Sequence, residues 1–434
     1  MSAPIVRKGK LIVYLLGHRV GALDYCSHRN EMHFAYDADY LAGSEPMPLS
    51  QSLPLQSEPF DSEVTTVFFE NLLPPDPVRK KLGPVLHLSH HNIFGFLEAL
   101  GGDCAGAISL WPEKSGPAED GEKLMPLDED GADEVLKSLK KRPLYINGVD
   151  GYRISGAGAQ HKLIARIDAK GVISLPLFGT PSTHILKPAI EEYPDSVYNE
   201  FFSMRLAAKL GLATAEAGLM RVKDSVYYWT KRFDREFVDG RVRRLHQEDF
   251  CQILGVEAEM KYESEGGPSF KSVMTAINEM RLGLVHQFAF IDRMIFNFLI
   301  GNADAHGKNT SILYRGGKIT LAPIYDVMST AIYPNLSKVN AMTIGGAKRF
   351  DKVSRGSFAA MAREVGMNED LLLGRLDNLA RRILPAAEAL AEELSAEWPS
   401  EVYRRIIDVI ALQKSRISYV DRYQNEGFIR ESGS

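Results

Sequence analysis

The sequence predicts an α+β fold of two lobes, with an extra α/β subdomain at the N-terminus and an all-helical lobe at the C-terminus. Three observations predict it. The chain has 434 residues, more than a single core usually serves, so two or three subdomains are expected. Strand-like runs broken by glycine-rich turns fill the first half, whereas beyond about residue 236 apolar residues recur at helical spacing. A long apolar segment, residues 284–300, then leads into Asn302-Ala-Asp304-Ala-His306-Gly-Lys308-Asn309, which would deliver Asp304 to the top of the second lobe.

Apolar content of 45% and charged content of 25% are those of an ordinary soluble globular protein. A net charge of −5 and a pI near 6.2 argue against a nucleic-acid binder that works by bulk electrostatics. Cys26, Cys104 and Cys251 lie far apart and form no CxxC pair, so neither a disulfide framework nor a zinc site is expected. Residues 11–16 are too short for a signal-peptide core. Residues 284–300 contain His286, Gln287, Asp292, Arg293 and Asn297, which suits a buried helix and not a membrane span. A cytoplasmic protein without membrane contact is expected.

Taken in order, residues 11–16 and 20–25 flank Gly17-His18-Arg19 as a hairpin. Residues 43–57, rich in Pro and Ser, read as a structured loop. Helical spacing at 63–73 stops at Pro74-Pro75, a second helix at 92–100 ends at Gly101-Gly102, and 103–110 reads as a buried strand. His87, His90 and His91 admit a metal reading, but no carboxylate or Cys completes the set, so a solvated loop entering a helix is expected. The acidic stretch 112–131 is the candidate boundary, and a short helix follows at 133–141.

Gly151-Tyr-Arg-Ile-Ser155-Gly-Ala-Gly158-Ala-Gln160-His-Lys162 is a glycine-rich loop before an apolar strand at 163–167. Small residues let backbone N–H groups approach a phosphate. The stretch is neither a GxGxxG nor a Walker A match, however, and by itself reads as a surface turn. Ser155 has no adjacent His or Asp to suggest a hydrolase triad. Thr183-His-Ile-Leu-Lys187-Pro188 is a strand with one Lys, the pattern that sets an ammonium on nucleotide phosphates. Glu200, in the first turn of the next helix, is a candidate partner for that Lys. Strands at 215–222 and 226–233 form a hairpin whose exit, Lys231-Arg232-Phe233, has the place of an adenine hinge.

Beyond it, 245–252 starts a helix and 261–268 is a polar loop before another. Leu284, Phe288, Ile291, Ile295 and Phe298 recur at spacings of four and three, one face of a long buried helix. A hairpin at 311–321 turns at Gly316-Gly317. Residues 357–423 are helical in pattern, including 371–383 and 386–394, and 425–434 read as a disordered tail. Asp304, Asn309 and, beyond the hairpin, Asp326 suit a metal–nucleotide phosphoryl-transfer site, in the order protein kinases use. An Asp-x4-Asn pair alone arises by chance about once in a chain of this size, so the other parts carry the weight.

Together these motifs resemble HipA-type serine/threonine kinases, the toxin component of bacterial toxin–antitoxin pairs. The resemblance rests on Ile154-Ser155 with Gly158-Ala-Gln160, on Thr183-His-Ile-Leu-Lys187 and on Arg232-Phe233-Asp234-Arg235. It continues through Gln247-Glu248-Asp249-x-Cys251-Gln252, Lys261-Tyr-Glu-Ser-x-Gly-Gly-Pro268, Asp304-x-His306-x-Lys308-Asn309 and Tyr325-Asp326. Near the N-terminus, Phe68-Phe-Glu-Asn-Leu-Leu73 and Asp103-Cys-x-Gly-Ala107 also match.

It implies a two-lobed protein-kinase-like fold, with a HipA-type subdomain at 1–111, a kinase N-lobe at 132–235 and a C-lobe at 236–424. Asp304 would orient or deprotonate the acceptor hydroxyl, and Asn309 and Asp326 would hold Mg²⁺. ATP would be bound by the loop Ala157, Gly158, Ala159, Gln160, His161 and Lys162, by Lys187, by the hinge Lys231, Arg232 and Phe233, and by His306, Lys308, Asn309, Tyr325 and Asp326. Ser155 would be autophosphorylated, adding a charge of roughly −1.5 to −2 that refolds the loop as an off switch. Lys231 and His161 stand where the family pattern has acidic residues; backbone adenine recognition should tolerate the first, whereas the second bears on the detailed loop contacts and the substrate choice. A HipB-like helix-turn-helix antitoxin, operator DNA through that complex, and a translation component such as an aminoacyl-tRNA synthetase are the implied partners. The alternatives are a small-molecule kinase of the aminoglycoside or choline type, and a catalytically idle module that augments a DNA-binding partner.

Overall fold

The structure, a computed structural model, describes residues 8–117 and 121–418, so the expected tail at 425–434 lies outside the described residues. The chain begins with a four-stranded antiparallel sheet ordered Glu31–Tyr36, His18–Cys26, Lys8–Leu15, Ile108–Pro112. The first hairpin turns at Leu16 and Gly17, both with positive φ, one residue earlier than the sequence suggests. Leu11, Val13, Leu23 and Phe34 are buried, and helices Ser62–Glu70 and Ile93–Leu100 belong to the same core. Asp61 and Asn92 cap these helices by accepting from Val64 N and Gly95 N. The loop at 43–57 is held by Tyr36, whose hydroxyl donates to Leu53 O at 2.6 Å and accepts from Leu49 N at 2.6 Å.

Two readings of this unit need correction. A helix at Asp76–Leu86 follows Pro74-Pro75; Pro77 falls in its first turn, where a missing N–H costs nothing. The expected strand at 103–110 begins only at Ile108, because Gly106 turns the chain with φ 73° and the Asp103 carboxylate is drawn into a cluster of arginines.

A six-stranded antiparallel sheet follows, ordered Lys123–Pro126, Ile173–Leu177, Leu163–Ile167, His184–Lys187, Ser225–Lys231, Ala217–Val222. Its inner residues Leu163, Leu175 and Leu186 share one buried cluster with Leu11 and Val13, so the two N-terminal units are fused through a common core. Its other side receives helix Ser196–Lys209, whose Phe201, Phe202 and Leu206 join the core of the C-terminal lobe.

That lobe is built on helices Phe270–Glu279, Leu284–Leu299, Arg355–Glu364, Glu369–Ser395 and Val402–Ile417. The expected helices at 371–383 and 386–394 are one helix that runs through Pro385. Ile291, Ile295 and Phe298 are buried as the periodicity predicts, but Leu284 is 62% exposed because the first turn projects beyond the core. The lobe is not all-helical. His246–Asp249 pairs with Ser311–Arg315, and that strand with Lys318–Leu321, while Arg235–Val238 and Arg241–Arg244, and Val339–Ile344 and Ala347–Arg349, form two small ladders. The helix expected from 245 starts only at Phe250, where Asp249 and Gln252 close a capping box. No helix among the described residues is long and apolar enough to cross a membrane.

The strand His246–Asp249 also joins the N-terminal unit to the C-lobe. Buried Glu248 accepts from Ser50 Oγ, from Gln51 N at 3.2 Å and from Tyr314 OH at 2.5 Å. Burial pushes its carboxyl up to about 7, against the pull of those donors. The folded protein therefore keeps a proton that the unfolded chain releases. That contribution is complete below the ordinary carboxyl pKa and is lost as pH rises through about 7. Melting temperature is expected to fall between about pH 5 and pH 8, and Glu248→Gln, which cannot ionise, to flatten part of that fall. Scanning fluorimetry across that range checks it; superimposable pH slopes for both proteins would refute the assignment.

Candidate active site

A cleft of about 1290 Å³ separates the six-stranded sheet from the helical lobe, with Lys187, Glu200, Asp304, Asn309 and Asp326 on its walls. Lys187 ends its strand before Pro188, which cannot continue the ladder. Its Nζ donates to Glu200 Oε1 at 2.7 Å and to Asp326 Oδ1 at 2.6 Å. The candidate pairing with Glu200 is thus formed, and a second carboxylate shares the ammonium. Burial works against the charge on Lys187, but Asp326 and Glu200 outweigh it and hold its pKa above the ordinary value. Burial raises Glu200 to about 7 despite Lys187. Cleft walls also penalise the Asp326 charge, yet Lys187 holds this carboxyl well below the usual range. Its side chain is still 48% open to the cleft, and the 2.6 Å contact with Lys187 is what favours the charged form.

Asp304 follows helix Leu284–Leu299 and a turn in which Asn302 Oδ1 accepts from Asp304 N at 3.0 Å. Asn309 Nδ2 donates to Asp304 O at 2.9 Å, closing the loop on itself. Asp304 Oδ1 accepts from Tyr262 OH at 2.5 Å. Burial raises the Asp304 carboxyl above its ordinary value, while Tyr262 and Lys261 pull it down. Tyr325, at 5.1 Å ring to ring from Phe233, donates to Lys308 O at 2.7 Å and so braces the same loop. Asn309 Oδ1 and Asp326 Oδ2 have no hydrogen bond among the described residues. Both residues line the cleft, and an amide oxygen and a carboxylate oxygen are the hard donors that a Mg²⁺ ion takes.

Other expected residues are engaged differently. Lys308 Nζ donates to Asn71 O, to Asn71 Oδ1 at 2.7 Å and to Asp249 Oδ2 at 2.8 Å, which uses its three donors. It therefore ties the loop to the N-terminal unit. Burial lowers His306 to about 3, so it is neutral, and its ring stands edge-on to Tyr262 at 5.3 Å. In the glycine-rich loop, Gly156 and Gly158 have φ 48° and 100°. A Cβ on Gly158 would meet Lys162 Nζ, which donates to Ala157 O at 2.5 Å. Burial and then Lys187 lower Lys162 to about 8. Gln160 reaches Pro188 O at 3.4 Å, and His161 is half-buried beside it. Ser155 is fully buried beside the Cys104 thiol, and its Oγ pairs with no nitrogen or oxygen among the described residues.

At the hinge, Lys231 is exposed, whereas Arg232 lies in a buried network that the sequence did not reveal. Arg232 contacts Asp234 Oδ2 at 2.7 Å and Asp103 Oδ2 at 3.2 Å; Arg235 and Arg244 reach Asp103 Oδ1 at 2.8 and 3.0 Å. Burial penalises the Asp103 charge, but Arg235, Arg244 and Arg232 outweigh it and hold the carboxyl well below the usual range. Of the three histidines, His90 and His91 do gain a carboxylate, Asp76. His90 Nδ1 is 2.6 Å from Asp76 Oδ1, but Lys80 takes Oδ2 at 2.6 Å, so the group is balanced as an ion pair. His87 instead caps the preceding helix with φ 55°.

The HipA N-terminal domain family matches residues 11–111, and the HipA-like C-terminal domain family matches residues 154–395. The chain belongs to the HipA family. Among HipA-family relatives, the kinase candidate Y4mE of Sinorhizobium fredii is 40% identical over 392 residues, covering 89% of this chain and 92% of that protein. The serine/threonine-protein kinase toxin HipA of Shewanella oneidensis is 30% identical over 394 residues, covering 86% of each. A chain of the solved Shewanella oneidensis complex of HipA, HipB and operator DNA superposes with a TM-score of 0.81 at 28% identity, over 94% of this chain and 96% of that one. The two-lobed kinase-like fold and the kinase class of the family follow from these matches.

Proposed function

We propose that this chain is an ATP-dependent serine/threonine protein kinase that acts as a growth-inhibiting toxin. The observation that carries the reading is the Lys187 contact with both Glu200 and Asp326, opposite Asp304 and Asn309. In phosphoryl transfer the protein contributes positioning and charge stabilisation and little covalent chemistry. Lys187 holds nucleotide phosphate oxygens, and Glu200 keeps its ammonium in place. Asn309 and Asp326 would hold Mg²⁺, which would supply charge neutralisation for the phosphates. Asp304 aligns the incoming hydroxyl and takes its proton. The glycine-rich loop 157–162 closes over the nucleotide, and Phe233, backed by the Tyr325 ring, borders the base beside the hinge at 231–233.

The acceptor is a protein of the translation machinery, such as an aminoacyl-tRNA synthetase. The chain works in the cytoplasm with a HipB-like antitoxin, and through it represses its own operon; the DNA contact belongs mainly to the antitoxin, given the net charge of −5. Phosphoproteomics after induced expression, wild type against Asp304→Ala, tests the reading: a phosphosite in a translation component should be present only with the wild type, and identical phosphoproteomes would overturn it.

Ser155 is the self-phosphorylated off switch. Its hydroxyl is fully buried, so a phosphate, which carries charge into that buried place, must hold the loop out of the cleft. After incubation with ATP, mass spectrometry should find phosphate on the peptide carrying Ser155, absent in Ser155→Ala. The phosphorylated protein should bind ATP at least about tenfold more weakly. Unchanged ATP affinity after full labelling would rule the switch out.

A further inference from the structure

We infer that Tyr262 is a positioning residue of the phosphoryl-transfer site: it locks the Asp304 carboxylate through Oδ1 so that Oδ2 faces the acceptor hydroxyl. The inference rests on the kinase reading above and adds a residue to it. Tyr262 OH is 2.5 Å from Asp304 Oδ1, and among the described residues it is the only hydrogen-bond donor to that carboxylate.

Two neighbours pack against the phenol ring. The His306 ring meets it edge-on at 5.3 Å, and Lys261 Nζ stands 5.1 Å from its ring centre. Its backbone is tied into the lobe at several points. Lys261 O accepts from Gly307 N at 3.3 Å, and Tyr262 O accepts from Gly267 N at 2.9 Å. Next to it, Glu263 grips Thr343 through Oε2 on the backbone N at 2.5 Å and Oε1 on Oγ1 at 3.0 Å. Gly267 admits this loop path because a Cβ there would strike Met260 O. A side chain fixed this firmly presets the direction of the carboxylate it holds.

In the transfer step the acceptor oxygen bonds to the γ-phosphorus, the bond from that phosphorus to the β-bridging oxygen breaks, and the acceptor proton passes to Asp304 Oδ2. Tyr262 keeps its own proton throughout. Burial and the neighbouring Asp304 charge both push the phenol above its ordinary pKa, so it stays a donor. Donation to Oδ1 lowers the basicity of Asp304 but fixes its orientation, and loss of the contact changes both at once.

The test is Tyr262→Phe in the full chain, with turnover of γ-labelled ATP followed across pH at saturating Mg-ATP. The plateau rate should fall about 10- to 100-fold, while the ATP concentration for half-saturation stays within about twofold. The acid limb of the pH–rate profile should move to higher pH, because Asp304 loses a donor that lowers its pKa. An unchanged limb with a lowered melting temperature and weaker ATP binding would mean a merely structural tyrosine and overturn the inference. A faster variant would mean that the phenol blocks the acceptor, which also overturns it. If Asp304→Ala itself still turns ATP over, the kinase reading fails first; if it is dead and Tyr262→Phe matches the wild type, only this inference fails.

Discussion

Asp304→Ala is expected to lower phosphate transfer by roughly 10³-fold or more, the upper part of what a positioned base contributes, with ATP affinity and fold preserved. The reasons are local. The side chain lies opposite Lys187 and Asp326 without touching either, so their 2.6 Å contact survives its removal. The loop is closed by backbone and amide contacts, Asn302 Oδ1 to Asp304 N and Asn309 Nδ2 to Asp304 O, which an alanine retains. Truncation costs the bond from Tyr262 but also removes a carboxyl that burial holds above its ordinary pKa, and the two effects on stability oppose each other. Taking one negative charge away from the phosphates should leave ATP binding equal or slightly tighter. Radiolabel transfer, calorimetric ATP binding and a melting curve on the same preparation separate these effects. Self-labelling at the wild-type rate would remove Asp304 from its assigned place.

How far the sequence carried this picture differs from residue to residue. Lys187 and Glu200 were visible as partners because a strand Lys and a first-turn helix Glu are local signals, thirteen positions apart. That Asp326 shares the same ammonium was not, since it lies 139 positions from Lys187 in the chain. Tyr262 stood inside a quoted motif, but only the path of the loop through Gly267 shows where its hydroxyl points. The helix at Asp76–Leu86 was hidden because Pro74-Pro75 read as a stop, although Pro75 is the cap of a new helix and Pro77 sits in its first turn. The strand His246–Asp249 was hidden by its polarity: its carboxylates are satisfied by Ser50, Tyr314 and Lys308, partners far away in the chain. Asp103 did leave a trace. A carboxylate heading an apolar run must find cations once buried, and the Arg232-Phe-Asp-Arg235 motif supplies two of them.

That trace leads to the largest expected effect on stability. Asp103→Ala leaves Arg232, Arg235 and Arg244 facing one another around a single remaining carboxylate, Asp234. Arg235 is the most exposed to the change, because its side chain is only 2% accessible and its Nε already lacks a partner. Burial, and next the like charge of Arg232, lower its pKa to about 10 even with Asp103 present. Removing one partner of a buried ion network typically costs about 3–5 kcal/mol, which for lobes of this size is a fall of roughly 6–20 °C in melting temperature. Asp103→Asn keeps the acceptor for Ser182 and should fall between the two. The loss should also reach the nucleotide site. Asp103 pairs with Ile154 and accepts from Ser155 N at 3.3 Å, so it anchors the start of the glycine-rich loop while its side chain anchors the hinge arginine. Weaker ATP binding should therefore accompany the lower melting temperature in both variants, less so in Asp103→Asn, which keeps an acceptor for Ser182. A variant that melts early yet binds ATP as the wild type does would confine the network to the core and break its link to the loop and the hinge.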